Sequence, residues 1–465
     1  MKPISFLYIM LVAALLGSMT SCKKFLERPP SGKLDEDSVI VSSEGIELML
    51  NSALKSMASE QLYGGRMVVL NELVADQLDA TLLTGDYGEI YGRRTSIFGD
   101  YKNNFYVDNY HVITQANRAL EKMDVADAAD TTRFIGMAKF IRAVAHFELV
   151  RLFAQPYGNT TDNSHPGIPL RTSTGLASLP RATVGQVYAQ IVADLIDAEA
   201  KLPEVVGGVP GKAAARAFLA KVYFQMNNFG EAYRMANLVL TASSASTYQF
   251  NTSASEFTTR YSLNGTKEAI YKLVNTTNIF EPGAHLRGQF RSDGGRVPVL
   301  HFTDDLYARF QNTGDQRAVW FNTTFNEGLN SFTKYNLDRF EVPVITVTEM
   351  KIIRAESAAE TNANLSVAVT DINDIMTRAY GNTSRNLPSN AAAADIINAT
   401  RAQYLLEFVG EGRRLQEIKR IGARNKTNID RRGATWNCPG MVLQFPQGEM
   451  AANVNFQRNP EGGCN

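Results

Sequence analysis

Apolar and small residues recur at helical spacing through Gly211–Ala242 (GKAAARAFLAKVYFQMNNFGEAYRMANLVLTA). Ala215, Leu219, Val222, Tyr223 and Met226 form one stripe, and Phe229, Ala232, Met235, Ala236, Val239 and Leu240 form a second. Asn227–Asn228 separates them, because both side chains bond the local backbone and favour turns over helix interiors. The pattern predicts two antiparallel helices joined by a tight turn. The same period predicts helices over Ser43–Ser59, from Phe105 towards Met123, over Phe134–Phe153 and over Val184–Leu202. Within Phe134–Phe153 two stripes lie side by side, Phe140, Val144 and Phe147 next to Ile141, Ala145, Leu149 and Leu152. Such breadth implies contact on two sides. Later, Glu349–Glu360 and Ser366–Tyr380 read as another hairpin, and Ala393–Ile421 as one or two more helices.

In the Gly211–Ala242 pair, Leu219–Ala220, Tyr223 and Ala232 fall on the small, tyrosine and alanine positions of the tetratricopeptide pattern. Small residues let two helices approach, and the tyrosine fills space between pairs. Arg216 stands where the pattern has Trp, and Ala236 where it has Phe. One such pair cannot bury its apolar face alone, so neighbours are required. Between the helices lie irregular segments. Gln155–Arg181 is rich in Gly, Pro, Ser and Thr; Tyr248–Val344 mixes short apolar runs such as Ala269–Val274 with many Thr, Asn and Gly residues. The predicted fold is therefore mostly α, a tetratricopeptide-like α-α superhelix of about four hairpins with inserted irregular loops and minor β-strands.

The chain begins MKPISFLYIMLVAALLGSMTSC. Phe6–Leu16 is unbroken apolar sequence behind Lys2, too short to span a bilayer and of the length of a secretory signal. Met19-Thr20-Ser21-Cys22 has the small-residue run of a lipobox, which makes Cys22 the expected lipidation site after a signal peptide over 1–21. Residues 22–42, with Pro29–Pro30 and Ser31–Gly32, read as an extended tether, followed by one domain over 43–465. Cys438 and Cys464 remain, and pairing and two free thiols stand as equal alternatives. Lys plus Arg balance Asp plus Glu at 47 each, and no basic cluster breaks the balance, which argues against nucleic acid as a partner.

Several blocks in order resemble the SusD/RagB family of outer-membrane nutrient-binding lipoproteins: FIRAVAHFELVRLFAQPYG (Phe140–Gly158), VGQVYAQIVADLIDAEAKLP (Val184–Pro203), GKAAARAFLAKVYF, Ile352–Tyr380, YLLEFVGEGRRLQEIKR (Tyr404–Arg420) and the terminal FPQGEMAANVNFQRNPEG. The resemblance implies two halves of the domain, about 43–245 and 246–465. It also implies a lipid-anchored protein on the outer membrane, facing outwards. Such a protein would bind oligosaccharide, polysaccharide or another nutrient and deliver it to a SusC-like TonB-dependent transporter. A lipoprotein scaffold that binds only protein is the alternative reading of the same helical hairpins.

Catalysis is not expected. Asp304–Asp305 are adjacent, so they cannot flank one glycosidic bond and are better placed to open a helix carrying Leu306, Tyr307 and Phe310. Glu407 and Glu411 beside Arg413–Arg414 read as structural ion pairs, His146 as a satisfied core histidine, and the five histidines show no ligand spacing. No cofactor and no metal site are expected. Sugar recognition needs flat aromatic faces with amides, carboxylates or Arg for the hydroxyls, and irregular segments supply them best. One candidate group is Asp76, Tyr87, Tyr91, Arg93 and Tyr101, in the part where the resemblance places variable ligand contacts. The second is Arg287, Phe290, Arg291 and Trp320.

Overall fold

The computed structural model describes residues 40–464 apart from 176, 205–207, 275–281, 294, 296 and 323–327. Cys22, the signal segment and nearly all of the tether lie outside the described residues. The frame consists of helices α1 (Ser43–Ala58), α2 (Arg66–Val74), α3 (Asp100–Glu121), α4 (Ala128–Phe153), α5 (Val184–Lys201), α6 (Lys212–Gln225), α7 (Phe229–Thr241), α8 (Val347–Glu360), α9 (Leu365–Tyr380), α10 (Ala393–Glu407) and α11 (Arg414–Asn425). Shorter helices are named by their residues below.

Local chemistry sets the ends. Ser42 accepts the Gly45 amide at 3.4 Å to open α1. Thr183 and Gln186 form a reciprocal capping box on α5, and Thr346 caps α8 by accepting the Glu349 amide at 3.3 Å. Asn227 takes a left-handed conformation (φ 57°), and Asn228 accepts the Glu231 amide to start α7. The Asn-Asn break thus stops one helix and caps the next. Two starts differ from expectation. α3 begins at Asp100 rather than Phe105, and α4 at Ala128 rather than Phe134, because Asp100 and Asp130 in the first turns favour the positive helix end.

With the short α2 set aside, each helix packs on the next in the frame: α1 on α3, α3 on α4, α4 on α5, α5 on α6 and α6 on α7. α4 lies between α3 and α5, and all of Phe140–Phe153 is buried, as its two stripes predicted. Ala220 and Ala232 are fully buried at the α6–α7 approach, and Tyr223 is 8% exposed. The superhelix then continues from α7 directly to α8 across the intervening insert, and α8 packs on both α9 and α10.

The insert leaves and rejoins the frame through an antiparallel ladder of β3 and β6, counting strands in chain order as β1 (Pro166–Pro169), β2 (Arg181–Thr183), β3 (Ala269–Leu273), β4 (Phe321–Asn322), β5 (Ser331–Phe332) and β6 (Val342–Thr346). β6 runs straight into α8. Tyr271 of β3 packs edge-on against Phe140, which meets Phe218 in the same way, so one aromatic triad joins insert, α4 and α6. β1 and β2 pair across the Gln155–Arg181 segment, and β4 pairs with β5 inside the insert. The main apolar core runs from Ile40 to Phe456, and two smaller clusters lie among α8, α9 and α10. No helix among the described residues is long and apolar enough to cross a membrane.

Candidate functional site

The turn after α10 brings distant parts of the chain together. Gly410 (φ 73°) and Gly412 (φ 69°) adopt left-handed conformations there. A Cβ at Gly412 would stand 2.9 Å from the Val68 Cα, so only glycine lets the turn meet α2. α11 therefore lies against α2. Beyond it, Asp430 receives Arg93 in two bonds of 2.7 and 3.0 Å, and Arg414 forks onto Asp76 at 2.7 and 2.8 Å. The Arg432 guanidinium sits 3.9 Å above the Tyr91 ring. Asp76 and Arg93 are each 2% exposed. Burial alone would raise the Asp76 pKa, but the Arg414 bonds and charge hold it below the usual carboxylate range. Asp76 and Arg93, both buried, thus clasp the N-terminal half to Arg414 and Asp430 and are corrected from ligand contacts to structural residues, while the half-buried Tyr91 ring lies beneath Arg432.

Tyr87 and Tyr101 do come together. Their rings meet edge-on at 4.8 Å, Arg66 lies 4.5 Å over Tyr101, and the Tyr101 hydroxyl and His285 Nε2 are 2.6 Å apart. Burial and the Arg66 charge push the His285 pKa down to about 4, so the ring is neutral. Tyr101, 9% exposed, locks the helix Ala284–Phe290 of the insert to α3; Tyr87 is half-buried at the edge of this contact.

The second group divides. Phe290 is fully buried among Phe302, Phe332 and Tyr335. Trp320 is 1% exposed, donates from Nε1 to the Phe257 carbonyl at 2.6 Å, and carries the Lys334 ammonium 3.7 Å over its ring. Neither ring has a face open to a ligand, so both are corrected to core residues. Arg287 and Arg291 are half-buried, paired with Asp338 and Asp293.

Two other carboxylates singled out by the sequence, Glu407 and Glu411, are committed to interior charge networks. Glu407 receives Arg260 at 2.5 Å, Arg378 at 2.6 Å and Arg317 at 3.2 Å, all within the interior. Glu411 receives Lys334 at 2.8 Å, and Arg413 reaches Glu349 at 3.2 Å. Glu407 and Glu411 are structural ion pairs as expected, yet their partners come from the insert and α9 rather than from Arg413–Arg414. Asp304–Asp305 head the short helix Asp304–Tyr307, capped by Thr303. His146 is a fully buried core histidine, and burial together with the Arg142 charge pushes its pKa down to about 3, so the ring is neutral. Among the described residues no three His, Cys, Asp or Glu side chains gather as a metal site.

An open cleft of about 670 Å³ lies elsewhere, between Arg94–Phe98 and the C-terminal segment around Gln444, Arg458 and Glu461–Gly463. Phe98 on its wall is 60% exposed. Gln444 builds the opposite wall: its backbone amide donates to Thr95 Oγ1 at 2.9 Å, and its side chain exchanges bonds with Asn459. The Cys438–Cys464 disulfide, with Cα atoms 5.4 Å apart, ties the end of this segment down and settles the two alternatives for these cysteines. Gly463 lies close against the Arg94 side chain, where a Cβ would stand 2.9 Å from its Cγ. Arg458 and Glu461 pair at 2.7 Å with side chains 46% and 70% exposed. Sequence reasoning missed this cleft. The available signal was Phe98 itself, an aromatic at the end of the polar run Gly92–Ser96 with only Ile97 as an apolar neighbour before Gly99.

Residues 24–224 match a family model described as starch-binding, associating with the outer membrane, and residues 300–461 match the SusD family model. SusD-like protein P2 of Formosa agariphila is 23% identical, aligned over 99% of this chain and 100% of its own. Among solved structures, a SusD superfamily protein from Bacteroides thetaiotaomicron superposes with TM-score 0.77 at 23% identity, covering 90% of this chain and 100% of that one. A putative sugar binding protein from Bacteroides vulgatus also gives TM-score 0.77 at 23% identity, with 91% and 99% covered. The two family matches take in both halves of the molecule and the solved relatives share its helical, tetratricopeptide-like fold: the chain belongs to the SusD/RagB family.

Proposed function

We propose that this protein captures oligosaccharide or polysaccharide in the cleft beside Phe98 and passes it on chemically unaltered. The observation that carries the reading is the pairing of an exposed aromatic ring with Arg94, Arg458 and Glu461 around an open volume of about 670 Å³. A flat ring packs on the C–H face of a sugar, and guanidinium and carboxylate groups bond its hydroxyls. The volume is within the range of ligand sites. Tyr87, Arg287 and Arg291, all half-buried, are retained as outer contacts for a longer chain. Lipidation of Cys22, a single domain over 43–465, display on the outer membrane and delivery to a SusC-like TonB-dependent transporter complete the reading. It is supported by the family's outer-membrane description and by the sugar-binding relative.

A surface site with one exposed ring binds weakly, with a dissociation constant of about 10 μM to 1 mM. Retention of the purified protein on polysaccharide affinity gels, followed by calorimetry with the retained glycan, tests the assignment. Phe98→Ala abolishes retention if the cleft is the site. Unchanged retention by Phe98→Ala, or cleavage of the polymer by the wild type, would overturn it.

A further inference from the structure

A second pocket, of about 180 Å³, opens between α10 and α11 and shares no lining residue with the Phe98 cleft. It exists because the Gly410–Gly412 turn sends α11 onto α2. Leu405, Phe408, Ile421 and Ile429 give it apolar walls. The charged groups around it are already neutralised: Arg401 by Glu356 and Glu360, Arg413 by Glu349, Arg414 by Asp76, and Glu417 by Arg420. Gln77 differs. It lines the pocket, is 1% exposed, and neither its side-chain oxygen nor its nitrogen has a hydrogen-bond partner. A buried amide with neither bond made is unfavourable, and such groups in native structures call for an explanation.

We propose that this pocket receives one apolar side chain of a partner polypeptide together with that residue's peptide group. The volume suits a single ring or branched alkyl group; a cavity of about 150 Å³ holds benzene. The Gln77 amide offers one acceptor and one donor side, the complement of a peptide N–H and C=O. A sugar, with a hydroxyl on nearly every carbon, would leave most of them facing the apolar walls. A free amino acid or peptide terminus would bring a further charge; Arg413 Nε has no bond of its own, but its guanidinium is already matched by Glu349, so the lining leaves no counter-charge over. The occupant is therefore the interior of a polypeptide chain, as a protein partner supplies.

The test uses the full-length protein in detergent micelles and ligand-observed NMR. The probes are N-acetyl-L-phenylalaninamide, zwitterionic L-phenylalanine and glucose. The capped amide is expected to bind saturably, with both other probes at least tenfold weaker. Leu405→Trp, at a half-buried wall position, fills the pocket and should abolish binding. Gln77→Leu keeps the volume, removes the amide and should weaken binding about tenfold. Thermal melts of both variants establish that they are folded. Absence of saturable binding by the capped amide overturns the proposal. So does binding unaffected by both substitutions, or zwitterion or glucose binding as tight as the amide.

Discussion

Glu72 offers a direct measurement of how the two halves are joined. It is fully buried on α2; one carboxyl oxygen accepts the Gly412 amide at 2.8 Å, and the other has no partner. Burial, opposed by that one bond and reinforced by the nearby Asp76, raises its pKa from 4.5 to about 8. The folded protein therefore keeps the proton at neutral pH, while the unfolded chain has released it. The sign follows from linkage: the native state binds more protons between the two values, so this group lowers stability as pH rises from about 4.5 to about 8. The slope is about 1.4 kcal/mol per pH unit, on the order of 3 kcal/mol by pH 7. Glu72→Gln preserves the acceptor for Gly412 and cannot titrate. Near pH 5 it should be no more stable than the wild type, since the added N–H₂ is itself buried and unpaired. By pH 7 it should be more stable, the difference moving by about 2 to 3 kcal/mol over those two units. Urea denaturation of both proteins at pH 5, 6 and 7 reads this, and every other titrating group cancels in the comparison. Parallel curves would mean that Glu72 is ionised when folded, and the argument would fail.

Four further outcomes follow from the same geometry. Glu407→Gln leaves three interior guanidiniums short of a counter-charge and should cost about 3 to 5 kcal/mol by denaturant midpoint. Because the Glu407 pKa is held well below its ordinary value by Arg378, Arg260 and Arg317 against the opposing pull of burial, its contribution is complete above about pH 4.5 and fades as acid protonates it; acid titration should show the variant losing less than the wild type. Trp320→Ala should cost about 3 to 5 kcal/mol in stability and, once the protein is folded, leave glycan affinity within twofold by calorimetry. Reducing Cys438–Cys464 frees a loop closed over 26 residues, a constraint of about 3.5 kcal/mol in the chain-entropy account, and should lower the denaturation midpoint accordingly; because the bridge holds the cleft wall, glycan binding should weaken as well.

The helices were legible because their information is local. The 3.6-residue period, the Asn227–Asn228 break and the Thr183–Gln186 cap all lie within a few residues of what they control. The candidate site was not, and the reason is the converse. Asp76 and Arg93 stand in irregular sequence that reads as exposed, yet their partners Arg414 and Asp430 come from the far end of the chain, and Trp320 is buried by residues up to 63 positions away in the insert, among them Phe257 and Lys334. Composition around each residue carries no trace of those meetings. The same holds for Glu407: its spacing to Glu411 signalled ion pairing, while its partners Arg260, Arg317 and Arg378 could come only from the folded arrangement.

These buried charges have a consequence for how a site can be built on this frame. Apolar contacts fix that the insert packs on the superhelix, but they tolerate sliding, since dispersion and water exclusion have little directionality. An interior guanidinium that misses its carboxylate by a few ångströms leaves both groups desolvated and unpaired, a far steeper penalty. Arg260 and Arg317 from the insert, meeting Glu407 at the end of α10, therefore define one docking position. Arg93 and Arg414 do the same for the N-terminal half against residues 430 and 76. The Phe98 cleft lies directly beyond the Arg93 clasp, where Arg94 begins its wall and Gly440 packs against the Arg93 backbone. Residues that sequence reasoning assigned to ligand contact thus act one step behind it. They hold the wall of an open cleft in place without any ligand to organise it, as the proposed weak, reversible capture requires, because ordering a loop on binding would take its cost from an already small affinity.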